Sequence, residues 1–231
     1  MKIRSTTAFG WLYFLITLFE ITGETLNERW LIYGTKPLLA VLLLLFALKR
    51  RPLLGFSVSI IWLMVGLGFA LAGDTLLMIR EIDLFMPGLA AFLVMQLCYI
   101  LAFRNSRKRS APLEPGRLWM QALPFAVYLG LFLALLYRPL HEVPANRGLW
   151  LPVVGYGLCL SLMGWSASLW QRQAKQAGSR WVLPGALLFI LSDSLIAVDR
   201  FLWPLPFSDF LIMSTYAKAQ YLIVRGMLRT V

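Results

Sequence analysis

Ala70-Leu-Ala-Gly-Asp-Thr-Leu-Leu-Met78 places a carboxylate, Asp74, inside a long apolar run. An ionised Asp in a bilayer costs about 2.5–3.5 kcal/mol even on lenient insertion scales, so a chain that keeps one there faces it inward and gives it a partner or a task. Phe189-Ile-Leu-Ser-Asp-Ser-Leu-Ile-Ala197 repeats the pattern with Asp193. These two stretches predict a helical bundle in which helices three and seven stand side by side. Their acids then face one shared hollow.

The composition sets the solvent. The chain has 231 residues, of which 59% are hydrophobic and 14% charged, and its mean hydropathy is +0.72. A soluble domain is about half apolar and a quarter charged, so this is an integral membrane protein. Cys98 and Cys159 both fall inside apolar runs and read as small buried hydrophobes, which excludes a disulfide scaffold. The single histidine, His141, lies in a loop with Glu142, so a metal site needing several imidazoles is excluded. No metal and no cofactor is expected. The net charge of +11 sits in short loops between apolar runs, which is a topology signal and implies no nucleic-acid partner.

A membrane-spanning helix needs about 20 apolar residues. Eight runs approach this: Ala8–Ile21, Leu31–Leu48, Leu53–Ile79, Leu84–Phe103, Leu118–Tyr137, Leu149–Trp170, Trp181–Leu202 and Asp209–Leu228. The first lacks a small-residue cleavage site and carries Glu20 near its end, so it is kept as a span rather than a signal peptide. No run alternates with period two. The predicted fold is therefore all-α: a polytopic bundle of eight spans forming one integral membrane domain over residues 1–231. Of the 22 Lys and Arg residues, 15 fall on the side holding both termini and 5 on the other, with Lys36 and Lys218 inside spans. That bias puts both termini in the cytoplasm, and a bacterial cytoplasmic membrane is the expected location. Gly66 with Ala70, and Gly157, Ser161, Gly164 and Ser168, form small-residue stripes that let helices approach closely.

Depth along each span follows from a rise of about 1.5 Å per residue. Asp74 comes near the outer end of its span and Asp193 somewhat deeper. Lys36 lies in the outer third of span two, Gln96 and Tyr99 near the midplane of span four, and Tyr216 and Gln220 halfway along span eight. Polar residues from five spans thus gather in the outer half and midplane. Tyr216 and Gln220 share a helix face while Lys218 points elsewhere, and Gln96 and Tyr99 share another face. Each also has a structural reading. Asp74 can be a solvated helix end, Asp193 can form an ion pair with Lys218 or Lys36, Lys36 can snorkel outward, and Gln96 with Tyr99 can bridge helices. Glu20 and Asp199 are expected at the solvated outer boundary.

Two carboxylates in one site supply a general acid and a general base, a set suited to acid-labile ethers and acetals. The chain lacks a Gly-x-Ser-x-Gly elbow, which argues against a serine lipase. Ala72-Gly73-Asp74 lacks the Gly-x-Gly-Asp pattern of intramembrane aspartyl proteases. A transporter that uses buried Asp and Lys is the alternative from another class, although no inverted repeat is evident.

At these residues the chain resembles the YhhN-type lysoplasmalogenase family of eight-span membrane proteins. The matching stretches are Lys36-Pro37-Leu38, Gly73-Asp74 followed by Leu76-Leu77, Gly185-Ala-Leu-Leu-Phe189 leading into Ser192-Asp193-Ser194, and Tyr216 with Ala219-Gln220-Tyr-Leu-Ile223. Relatives often carry a His three residues before the Tyr of span four, where this chain has Gln96, and Lys218 occupies a position that is usually apolar. The resemblance implies hydrolysis of the vinyl-ether bond of a lysoplasmalogen, a lysophospholipid, to a fatty aldehyde and a glycerophospho-ethanolamine or -choline. It also implies that Asp74 and Asp193 are the catalysts; in such a site Lys36 is expected to attract the lipid phosphate or steady the acids, and Gln96, Tyr99, Tyr216 and Gln220 to line the substrate site. Membrane lipids are the only other partners implied.

Overall fold

A computed structural model of the chain describes residues 2–54, 57–79, 81–106, 115–173 and 178–229. Among them run eight α-helices: α1 (Lys2–Leu26), α2 (Arg29–Leu54), α3 (Val58–Met78), α4 (Phe85–Asn105), α5 (Pro115–Glu142), α6 (Trp150–Gln173), α7 (Ser179–Phe201) and α8 (Ser208–Met227). A 3₁₀ turn, Pro144–Leu149, joins α5 to α6. No strand occurs among the described residues. Six of these helices, all but α1 and α8, are long and apolar enough to cross a membrane. Arg80, Arg107, Lys108, Arg109 and Lys175, which enter the charge bias above, lie outside the described residues.

Several boundaries differ from the sequence reading, among them the start of the third span, since Leu53 and Leu54 close α2 and α3 begins at Val58. The helix of α1 runs on past Ile21 to Leu26, and α2 continues through the basic Lys49-Arg50-Arg51 to Leu54. Charged residues end an apolar run without ending a helix, because the backbone hydrogen bonds continue into the interfacial layer. Extending α1 brings Glu24 into the bundle.

Large apolar side chains cover the outside. Trp119, Met120, Leu131 and Leu151 are each more than two-thirds exposed, which in a bilayer is the lipid face. Trp30, Trp203 and Phe207 are exposed near the loops at one end, and Trp11 and Trp119 near the other, as interfacial aromatics are. With lipid outside, close packing rather than burial from water holds the helices, and small residues sit where backbones approach. A Cβ at Gly66 of α3 would lie 2.7 Å from the Tyr99 ring of α4, and one at Gly185 of α7 would lie 3.0 Å from the Ala219 carbonyl of α8. The bundle accordingly has two tightest pairs, α3 with α4 and α7 with α8.

One expectation fails here. α3 packs chiefly on α2 and α4, and α7 on α6 and α8, so the third and seventh helices are not partners. Their acids meet across a cavity instead.

Candidate active site

The cavity has a volume of about 90 Å³ and lies within the half of the bundle that carries the α3–α4 and α7–α8 loops. Asp74, Asp193, Tyr156, Tyr216 and Lys36 supply most of its polar groups, among apolar side chains that include Phe92, Phe132 and Met213. Asp74 and Asp193 are 3% and 9% exposed, so neither is a solvated helix end.

Each acid is held through one oxygen. Tyr216 donates to Asp74 Oδ2 at 2.8 Å. Tyr156 donates to Asp193 Oδ2 at 2.6 Å, and Gln96 Nε2 reaches the same oxygen at 3.3 Å. In both acids Oδ1 takes no hydrogen bond among the described residues, and no bond joins the two carboxylates. Each acid therefore keeps one oxygen for water or substrate.

The tyrosine on Asp74 is itself positioned. The ring of Tyr216 lies edge-to-face with Phe92, centroids 5.9 Å apart, and close to edge-on with Phe189, at 5.7 Å. Gln220 sits one turn away on the shared face of α8, donates to Tyr216 Oη at 3.3 Å and accepts from Tyr99 at 2.5 Å. A line of hydrogen bonds thus runs from Tyr99 through Gln220 and Tyr216 to Asp74. Gln96 and Tyr99 share a face of α4, as their spacing predicts, yet they serve different acids.

Lys36 has partners the sequence did not suggest. Its Nζ lies 2.6 Å from Glu24 Oε1 and 3.8 Å from Glu20 Oε1, and Thr35 donates to Glu20 Oε2 at 2.6 Å. Glu20 is fully buried and Glu24 nearly so, which overturns the expectation that Glu20 is solvated. The two glutamates stand four residues apart on α1, so one helical face carries both toward α2. Asp193 pairs with neither Lys36 nor Lys218, and Lys218 is exposed on the outer face of α8.

Tyr156, Glu24 and the inward turn of Glu20 were missed by sequence reasoning. A tyrosine among Gly155 and Gly157 in an apolar helix is the only local hint of the first. The i, i+4 spacing of the two glutamates is the signal for the second, hidden by ending the first span at Ile21.

Above the cavity, toward the loops, a second hollow of about 510 Å³ shares Lys36, Leu77, Phe85, Ile196, Ile212 and Met213 with it. Glu24, Asn146, Asp199, Arg200 and Asp209 give this vestibule mixed charge. On the α3–α4 loop beside it, the Phe85 backbone N–H and the Arg200 guanidinium, each 3.1 Å away, hold the Asp83 carboxyl below the usual carboxylate range. Among the described residues no group of three His, Cys, Asp or Glu side chains is arranged to hold a metal ion.

Comparison with known proteins supplies the context for this geometry. The chain is 34% identical over 220 residues to the rat protein named Lysoplasmalogenase TMEM86B, an alignment covering 95% of this chain and 80% of the rat protein. The human protein of that name is 40% identical over 146 residues, 63% of this chain and 55% of the human one. A Mycobacterium tuberculosis protein named Lysoplasmalogenase is 32% identical over 166 residues, 71% of this chain and 59% of its own length. The aligned region thus spans little more than half the length of the human and mycobacterial relatives. No solved structure matches the chain. The profile of the YhhN family matches residues 31–227, from the start of α2 through the end of α8, and so contains both acids, Lys36 and every hydrogen-bond donor on the two carboxylates; the chain belongs to the YhhN family.

Proposed function

We propose that this protein is a membrane-embedded lysoplasmalogenase, splitting the vinyl-ether bond of a lysoplasmalogen into a fatty aldehyde and a glycerophospho-ethanolamine or -choline. The observation that carries this reading is the pair of buried aspartates lining one cavity, each tethered at Oδ2 and open at Oδ1. The names of the rat, human and mycobacterial relatives point to the same reaction.

The chemistry follows from the bond. A vinyl ether is protonated at its β-carbon, and a carboxylic acid is the proton donor suited to this. One aspartic acid gives its proton to that carbon, the double bond's electrons form the new C–H bond, and an oxocarbenium ion remains. The second aspartate takes a proton from water as the water oxygen adds to the oxocarbenium carbon. The resulting hemiacetal collapses when the second aspartic acid passes that proton to the glycerol oxygen and the first, now a carboxylate, takes the proton of the hemiacetal hydroxyl, releasing aldehyde and a free glycerol hydroxyl and restoring both acids to their starting states. Tyr156 and Tyr216 fix the carboxylates so that Oδ1 of each faces the reacting atoms. Tyr99, Gln96 and Gln220 hold those donors or their acids in place.

The polar vestibule suits the headgroup. Lys36, at the junction of the two hollows, is held by two buried carboxylates, Glu20 and Glu24; Arg200, whose carboxylate partner Asp83 is exposed, is the cation that turns its remaining N–H donors to the phosphate, and the vestibule's carboxylates face the ammonium end. All eight helices cross the bilayer with both termini cytoplasmic, which opens the vestibule to the outer surface of a bacterial cytoplasmic membrane.

The test is direct. Purified protein in detergent or nanodiscs is given a lysoplasmalogen, a diacyl phospholipid and an ester-linked lysophospholipid, and products are read by mass spectrometry. Aldehyde from the first alone is expected. Proton-coupled uptake into liposomes without lipid turnover would replace the enzyme by a transporter.

A further inference from the structure

The cavity that holds the two acids has room for a few water molecules and a small polar fragment, and none for a long aliphatic chain. If the site acts on a lysolipid, the chain must lie elsewhere. One hollow shares a wall with the cavity away from the polar vestibule. It is a groove of about 430 Å³ between α5 and α7, lined by Pro124, Val127, Leu131, Leu135, Ser194 and Val198, with Tyr128 and Phe132 at its floor. Phe132 lines both the groove and the cavity, so a single ring divides them.

Two contacts frame that ring on the groove side. Phe132 stacks on Tyr128, centroids 5.7 Å apart, and the Tyr128 and Ser194 hydroxyls share a hydrogen bond of 2.9 Å across the α5–α7 gap. Ser194 directly follows Asp193, so the latch sits beside an acid. α5 is the least covered of the six long apolar helices and meets α7 over a short stretch only. Its groove side chains Val127 and Leu131 are exposed, and in a bilayer they face lipid.

We propose that this groove is the lateral portal through which the substrate's aliphatic chain reaches the acids from the bilayer, with Phe132 and the Tyr128–Ser194 hydrogen bond as its closure. The proposal rests on the lysolipid reading of the site. The headgroup then stays in the polar vestibule, the chain lies in the α5–α7 groove, and the bond between them falls at the two carboxylates. A larger groove of about 790 Å³ between α1 and α8 is the competing location. It shares no lining residue with the cavity, and it carries Lys218 and Arg225 along a surface meant for a hydrocarbon.

Two measurements decide it. A non-hydrolysable alkyl-ether lysophospholipid with a diazirine near the end of its chain is photolysed with the protein in nanodiscs, and labelled peptides are mapped. Label within 124–135 or 187–198 is expected; label confined to α1 and α8 overturns the portal. Turnover of long- and short-chain lysoplasmalogens is then compared for Val127→Trp, Leu131→Trp and a control, Leu18→Trp, in the α1–α8 groove. The groove variants are expected to lose at least 5-fold in kcat/KM on the long chain, less on the short one, with the control unchanged. Equal losses on both chains, or wild-type kinetics in both groove variants, overturn the portal. Should the wild-type protein release no aldehyde at all, the lysoplasmalogenase reading fails by itself, and the labelling pattern still decides the portal.

Discussion

The two walls of the cavity are built differently. On the α3 side, Asp74 has one donor, Tyr216, and shares the cavity wall with Lys36, whose charge is in turn matched by Glu20 and Glu24. On the α7 side, Asp193 has two donors, Tyr156 and Gln96, and no cation among its partners. The difference teaches that a cation stands at one wall only. Substitutions at the α3 wall disturb a network of ions, and those at the α7 wall remove hydrogen bonds from the acid one at a time.

The largest expected effect ignores this asymmetry. Asp74→Asn and Asp193→Asn each keep the shape of the side chain and an oxygen to accept the tyrosine's hydrogen bond, while removing the ability to give or take a proton. Each should cut aldehyde release by about 10²–10⁴-fold, the usual contribution of a positioned acid or base. The readout is aldehyde from purified protein whose elution profile and thermal midpoint match wild type. A variant that keeps half the rate takes its residue out of the chemistry and makes the other acid a lone catalyst.

Next comes the ionic wall. Lys36→Met takes a cation away from the buried Glu20 and Glu24, and removing one partner of a buried ion pair costs about 3–5 kcal/mol. A clear fall in thermal midpoint in detergent is expected, and Glu24→Gln in the same chain should recover part of it. No equivalent single change at the α7 wall carries such a cost. A stable Lys36→Met protein would mean that water reaches the cluster and that the two walls are alike.

The fold was legible because the bilayer leaves few choices: apolar runs of the right length must be helices, since no water satisfies their backbone groups. The acids were legible for the same reason, as a charge in hydrocarbon stands out in any sequence. The pairing of Tyr216 with Gln220 followed from helical spacing. Which helices touch was not legible. The expected contact of the third and seventh helices is replaced by two tight pairs, set by small residues at Gly66 and Gly185 whose partners on α4 and α8 no one-dimensional pattern names. The nearer partner of Lys36 was hidden too, because Glu24 lies beyond the apolar run Ala8–Ile21, where hydropathy ends but the helix does not.

Smaller effects rank the two tyrosines. Tyr216→Phe removes the only hydrogen bond to Asp74 among the described residues, and Tyr156→Phe leaves Asp193 with Gln96. A hydrogen bond to a charged group contributes about 1.5–3 kcal/mol, so Tyr216→Phe should lower kcat by about 10-fold or more and Tyr156→Phe by less. The reverse order would place Tyr156 against the substrate as well as against the acid.

The smallest single effect belongs to Gln96, and it separates positioning from contact. Its amide nitrogen reaches Asp193 at 3.3 Å, a long bond, while its Oε1 is buried with no hydrogen-bond partner among the described residues. Gln96→Leu loses the bond and also relieves the desolvated oxygen, so the two terms offset and stability changes little. With Tyr156 still in place, kcat should fall by about 2–3-fold, the scale of a long, weak hydrogen bond. In a Tyr156→Phe background the same change strips Asp193 of its last donor, so the double variant should lose more than the product of the singles, as residues sharing one partner do. Simple multiplication of the two losses would show that Gln96 and Tyr156 act on Asp193 independently. A loss in Gln96→Leu alone as large as that in Asp193→Asn would show that the amide touches the reacting lipid rather than the carboxylate.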